Sequence, residues 1–217
     1  MKQAYFTLFL IGMSFLSYGQ SGWYCTSGSE TIFSFPIFKD PNQDATVVRF
    51  APVMNLQYMM NKDMGKSFGI YTGIAIRNVG FIADDPADGS IRKKFRTYNL
   101  GVPLGIKLGN MNKLMLYAGV DAEYAFNYKE KTFENDNKVQ KNVAWFSNRH
   151  RAFTPAVHVG FQFATGLNIK VKYYLNSFFN PDYINYASEY ERFDANVFYI
   201  SLNSNLFKGT KFTYSSE

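Results

Sequence analysis

One stretch, Leu114 to Tyr128, constrains the fold more than any other part of the chain. Its even-numbered residues, Leu114, Leu116, Ala118, Val120, Ala122, Tyr124, Phe126 and Tyr128, are all apolar. Its odd-numbered residues, Met115, Tyr117, Gly119, Asp121, Glu123, Ala125 and Asn127, are mostly small or polar. A period of two sustained this long is the pattern of a β-strand with one oily face. The run exceeds the usual strand of a globular protein, and a strand needs only about 9–11 residues to cross a bilayer at a tilt. The segment therefore points to a membrane-spanning β-barrel, since only a closed sheet leaves no backbone N–H or C=O unpaired in lipid.

The alternation recurs. Val48, Phe50, Pro52, Met54, Leu56, Tyr58 and Met60 share a face opposite Arg49, Asn55 and Gln57. Tyr98, Leu100, Val102, Leu104, Ile106 and Leu108 oppose Thr97, Asn99, Gly101, Gly105 and Lys107. The same reading gives strands over residues 46–60, 67–82, 94–108, 113–128, 151–164, 166–180 and 195–207. A slip in the pattern near Asn78 predicts a bulge. An even count needs an eighth strand; residues 30–38, with Phe33, Phe35 and Ile37 on one face, are the candidate despite Pro36. Short connections (61–66, 109–112, 165–166) alternate with long ones (39–45, 83–93, 129–150, 181–194). The expected fold is all-β: an eight-stranded antiparallel transmembrane β-barrel with short periplasmic turns and longer outer loops.

A soluble barrel alternates too, with its apolar face inward and a face rich in Lys, Glu and Asp turned to water. Here the opposite face is mainly Gly, Ala, Ser, Thr and Asn, which suits the cramped interior of eight strands. Aromatics also sort to the two ends. Tyr58, Phe68, Phe161 and Phe163 fall near the short turns, while Tyr98, Tyr124, Phe126, Tyr128, Phe153, Phe179 and Phe198 fall near the long loops. Aliphatic residues lie between, as in the girdled belt of a membrane barrel.

The N-terminus agrees with export. Lys2 precedes a short apolar run, Ala4 to Leu16, and Ser17 and Gly19 suit cleavage before Gln20. Residues 1–19 are read as a secretory signal peptide and 20–217 as the barrel domain, which places the protein in an outer membrane. Cys25 is the single cysteine, so no internal disulfide is possible. The net charge of +6 is scattered between strands and loops. No nucleic-acid partner is expected; outer-membrane lipid, lipopolysaccharide included, or an envelope protein is the expected partner.

With those features in place, the segments RTYNLGVPLGIKLGN and LMLYAGVDAEYAFNYKEKTF resemble the PorT-like outer-membrane β-barrel proteins of Bacteroidetes-type bacteria. Tyr98, Leu100, Pro103, Leu104, Lys107, Tyr117, Ala118 and Gly119 carry the resemblance. It implies an outer-membrane location and an eight-stranded fold, and little about activity.

The chemistry that the pattern places inside the barrel is a set of charges: Arg49, Arg77, Lys107, Asp121, Glu123, Lys170 and Lys172, with His158. Buried charges must be paired, so these are expected to form a lumen network that plugs the barrel. Asp121 and Glu123 share a face, which leaves acid–base or proton-relay work as the sharper alternative. Barrel enzymes need a base, and His150 and His158 are the two histidines. Neither has an evident third partner in sequence. No nucleotide, metal or paired-cysteine motif is present, and no cofactor is expected. The loop KEKTFENDNKVQKNVAWFSNRHR offers Trp145, Phe146, Arg149, His150 and Arg151 as surface contacts. The reading is a non-catalytic barrel with a structural or interaction role; the alternatives are a narrow pore and, after it, a lipid-modifying enzyme.

Overall fold

The computed structural model describes residues 22–40, 43, 47–110, 113–204 and 207. The expected signal peptide, and Asn205 and Leu206 at the end of the last expected strand, lie outside the described residues. Ten strands follow in order: β1 (Trp23–Phe38), β2 (Arg49–Ala51), β3 (Leu56–Asp63), β4 (Phe68–Asp85), β5 (Asp88–Gly109), β6 (Met115–Glu134), β7 (Asn137–Trp145), β8 (Phe153–Gln162), β9 (Leu167–Ser177) and β10 (Ala195–Ser204). A four-residue helix, α1 (Tyr186–Glu189), and a 3-10 turn (Glu191–Phe193) lie between β9 and β10.

All pairings are antiparallel and the sheet closes on itself, because β1 pairs with β10 from Glu30↔Asn203 to Phe38↔Ala195. The ring has eight positions. One is shared by β2 and β3, which pair with the upper and lower halves of β1. The break between them is bridged by Asn55, whose amide donates to the carbonyls of Ala51 and Glu30 and whose Oδ1 accepts from the Asn78 N–H. The expected strand over 46–60 is thus two strands in one position. β7 stands above β8 on the same partner, β6.

The barrel is inside-out. Leu104 and Val120, paired across β5 and β6, are 58% and 52% exposed, and Leu100, Val102, Ile106 and Leu108 join them on the outer wall. Gln57, Asn99, Asp121, Glu123 and Lys172 are buried within. An apolar exterior this continuous does not face water; it is a lipid belt. On β5 it runs from Leu108 to Tyr98, eleven residues and ten steps. At about 3.4 Å per residue and a tilt near 40° this is about 26 Å of height, the thickness of such a belt. Trp23, with the Lys62 ammonium 5.6 Å from its ring centroid, marks the lower edge.

Strands outgrow the belt at the upper rim. β5 has 22 residues where about ten suffice to cross. The stretches 83–93 and 129–150, expected as loops, are largely hairpin. β4 and β5 pair up to Asp85↔Asp88. β6 turns into β7 through Asn135 and Asp136, both at positive φ, the conformation of a tight two-residue hairpin turn. The bulge expected near Asn78 is not there, since β4 holds register with β5 from Phe68 through Asp84. The irregularity lies on β6 instead, where Phe126 is the extra residue between Ala125 and Asn127. Tyr128 is therefore turned inward and fully buried, not in the girdle. Phe179 is buried as well.

The belt makes a direct prediction. Leu104→Arg and Val120→Arg should each cost about 2–4 kcal/mol, the penalty for Arg near a bilayer midplane. Val139→Arg, on β7 above the belt, should stay within about 0.5 kcal/mol of wild type. Urea titrations in lipid vesicles measure all three; equal costs would mean the outer wall is not lipid-facing.

Candidate functional site

The lumen is filled in three layers. The central layer is ionic. Three carboxylates, Glu30 from β1 and Asp121 and Glu123 from β6, meet three cations, Arg77 from β4 and Lys170 and Lys172 from β9. These side chains come from non-adjacent walls, so the contacts run across the barrel. Arg77 Nη1 donates to Asp121 Oδ1 at 3.1 Å and to Glu123 Oε1 at 2.9 Å. Lys172 pairs with Glu123 and lies 3.1 Å from Asp121 Oδ2. Lys170 pairs with Glu30. The second Glu123 oxygen accepts from Tyr174 Oη at 2.8 Å and Asn99 Nδ2 at 3.0 Å. Charges taken out of water are tolerable only when so compensated.

His158 belongs to this layer through a relay. Tyr71 Oη lies 2.5 Å from His158 Nε2, and His158 Nδ1 lies 2.5 Å from Asp121 Oδ2. The Asp121 carboxylate can only accept, so the ring proton is assigned to His158 Nδ1, and Nε2 of the neutral ring then accepts from the Tyr71 hydroxyl. Sequence reasoning found no such third partner, because Tyr71 lies 87 residues away on β4.

The lower layer packs Tyr71, Tyr117, Met59, Met115 and Phe207. The rings fit because each tyrosine has a glycine as its cross-strand partner, Gly105 beside Tyr71 and Gly160 beside Tyr117. A Cβ on Gly105 would come 2.4 Å from Tyr71 Oη, and one on Gly160 would come 2.4 Å from the Tyr117 ring. Lys107 lies here, apart from the central network, with Asp63 Oδ1 at 2.6 Å and Tyr24 Oη at 2.9 Å. The upper layer is aromatic: Phe81, Phe95, Phe178, Phe179, Tyr190 and Phe193. The segment 178–194 carries four of these rings over the mouth. It is pinned by Arg192 to Asp85 at 3.0 Å and by the Tyr190 hydroxyl donating to Glu130 at 3.1 Å.

Glu30 is the network member that the sequence reading missed. It begins the weakly patterned segment 30–38, where the apolar face drew attention and the even-numbered inward face did not. Arg49 departs from the expected network. Its guanidinium donates to the Asn78 carbonyl at 3.1 Å and to Asn78 Oδ1, and among the described residues it has no carboxylate partner. Of the surface-loop candidates, Trp145 and Phe146 are each 66% exposed. Trp145 stacks on Phe126, and Arg149 donates to Tyr183 Oη. His150 is buried against Tyr128 and offers no loop surface. Burial pushes its imidazole below the usual histidine range, while its hydrogen bond to the Arg151 carbonyl pulls it up. Among the described residues no cluster suits a metal ion.

No family model matches the chain, and no curated protein matches it. Solved structures similar to it are small outer-membrane proteins. Ail, the attachment invasion locus protein of Yersinia pestis, has a TM-score of 0.43 at 16% identity over 85% of this chain and 97% of that one. The same protein in a phospholipid bilayer nanodisc scores 0.34 at 11% identity over 82% and 99%. CarO2 of Acinetobacter baumannii scores 0.35 at 11% identity over 83% and 99%. Likenesses this distant carry no functional argument, and the barrel rests on its own strand register.

Removing one network member should be costly. Glu123→Ala strips an acceptor from Arg77, Lys172, Tyr174 and Asn99 at once, and the expected loss is about 3–5 kcal/mol. Glu134→Ala, exposed at the hairpin tip, should lose less than about 0.5 kcal/mol. Chemical unfolding in detergent compares them; a loss below 1 kcal/mol for Glu123→Ala would refute a network that depends on complete pairing.

Proposed function

We propose that the protein is an exported outer-membrane barrel whose role is structural or interactive and is exercised at its outer rim, not through its lumen. Residues 1–19 are its cleaved signal in this reading, and the short turns face the periplasm. The observation that carries it is the solid interior: an ionic layer held between two aromatic layers, with the segment 178–194 folded over the mouth. Eight strands enclose only enough room for side chains, whereas diffusion channels need about 16–18. The resemblance of Tyr98, Leu100, Pro103, Leu104 and Lys107 to PorT-like proteins supports an envelope location without adding an activity.

The reading assigns no catalysis to the buried relay. Tyr71, His158 and Asp121 form a relay of the type used to activate a nucleophile, but all three are buried between layers of side chains. A base must come within hydrogen-bond reach of substrate, and no substrate atom fits there without unpacking the lower layer. Outer-membrane lipid, lipopolysaccharide or an envelope protein is the partner, met on the surface that β4–β7 raise above the belt.

Two measurements test this. The protein should keep its sheet signal in detergent and migrate faster unboiled than boiled; lasting solubility without detergent would sink the membrane reading. In planar bilayers it should show no steady conductance. A steady, anion-preferring current would establish the narrow pore in place of the plugged barrel.

A further inference from the structure

The outer wall carries a second concentration of charge, and the described charged residues that line it are all cations. A cleft of about 220 Å³ is lined by Arg49, Lys94, Arg96, Lys129 and Lys131, with Phe133 at one side. Among the described residues no carboxylate lines it. Asp84, the acid on the same outward face of β4, is held 2.6 Å from Arg92. Arg49 is buried, and its hydrogen bonds go to the neutral Asn78. A buried guanidinium facing four more cations lacks the compensation that every charge of the lumen has, and folded proteins avoid such sites unless an anion fills them.

The side chains are already directed. The Lys94 ammonium sits 4.4 Å from the centroid of Phe133, and Arg96 Nη1 donates to Tyr98 Oη at 3.1 Å. Lys131 is pushed below the usual lysine range, first by burial and then by Lys129, Arg96, Lys138 and Lys141, all of its own sign.

The position of the cleft identifies its ligand. Along the outer face of β5 the belt reads Leu104, Val102, Leu100, then Tyr98, then Arg96 and Lys94. On β6 it reads Val120, Ala122, Tyr124, Phe126, and past the bulge Lys129 and Lys131. A lipid whose chains lie on Leu100 and Val102 has its headgroup at the cleft, one step above the aromatic girdle. Paired Arg forks and Lys ammonium groups suit phosphate oxygens. We propose that this cleft is a binding site for the phosphate of an anionic lipid headgroup in the leaflet at the long-loop end. With five cations and no acid among its described lining residues, it selects a phosphate monoester over a zwitterionic diester. The site rests on the lipid-facing reading of the belt and extends it to one lipid class.

The test uses the full-length protein in neutral detergent micelles, with native mass spectrometry counting bound lipid. The probes are dioleoyl phosphatidic acid, dioleoyl phosphatidylcholine and inorganic phosphate. Phosphatidic acid should be retained at least tenfold better than phosphatidylcholine. Lys94→Gln with Lys131→Gln should remove most of that preference. Lys66→Gln with Lys113→Gln, the same charge change at the opposite rim, should leave it intact. Displacement of phosphatidic acid by equimolar inorganic phosphate would overturn the lipid assignment and leave a free-anion site. Absence of the preference in wild type, or equal loss in both double variants, would overturn the site itself. Gel mobility of the same samples separates the failures: a variant that keeps the fast unboiled form yet loses the lipid has lost the cleft, whereas a wild type that never shows that form contradicts the membrane barrel.

Discussion

Every feature of this molecule depends on the seam where β1 meets β10. A sheet in lipid cannot leave a row of amide and carbonyl groups open, because no water is there to satisfy them. Nine residue pairs, Glu30↔Asn203 through Phe38↔Ala195, close the ring. Pro36 sits in that seam and has no N–H to give. The seam also delivers Glu30, which the central layer needs to balance Lys170. Closure and lumen charge are therefore solved by the same strand, and the first strand is indispensable although its sequence pattern is the weakest.

Closure leaves an interior that must be filled without an oily core, since the oil faces outward. The molecule does this in layers. The central layer pairs three carboxylates with three cations across the barrel, so strands that are not neighbours in the sheet are tied together. The layers above and below are rings, and the hydroxyls of Tyr71 and Tyr174 reach into the ionic layer. The lower rings need glycine opposite them at positions 105 and 160, where a Cβ would also meet the backbone carbonyls of Ala118 and Ile169. Such an interior is filled by side chains from its lower aromatic layer to its upper one.

The fold was legible in the sequence because a lipid belt forces a strict period of two over long strands, and that signal survives single slips. Seven strands and the inward sides of Arg77, Asp121, Glu123, Lys170 and Lys172 follow from parity alone. The hairpins above the belt were not legible as strands, since above lipid neither face needs to be apolar and the alternation fades. Asn135 and Asp136 were the available signal for the second of them. Arg49 was misassigned because parity fixes where a Cβ points, not where a long side chain ends; the gap between β2 and β3 lets its guanidinium lean toward Asn78. Glu30 and the Tyr71–His158 contact depend on which walls face each other across the ring, and no local pattern encodes that.

A single residue connects these themes. Without Phe126 as an extra residue, parity along β6 would carry Lys129 and Lys131 into the lumen and turn Tyr128 and Glu130 out to the membrane surface. The upper aromatic layer would then hold two more ammonium groups, and the Glu130 carboxylate that accepts from Tyr128 and Tyr190 would be gone. The bulge reverses both assignments at the height where the belt ends. It gives the cap its carboxylate and gives the outer wall its cations in one step. The irregularity that interrupts the most regular strand in the chain thus marks the boundary between the part built to sit in lipid and the part built to meet what lies above it.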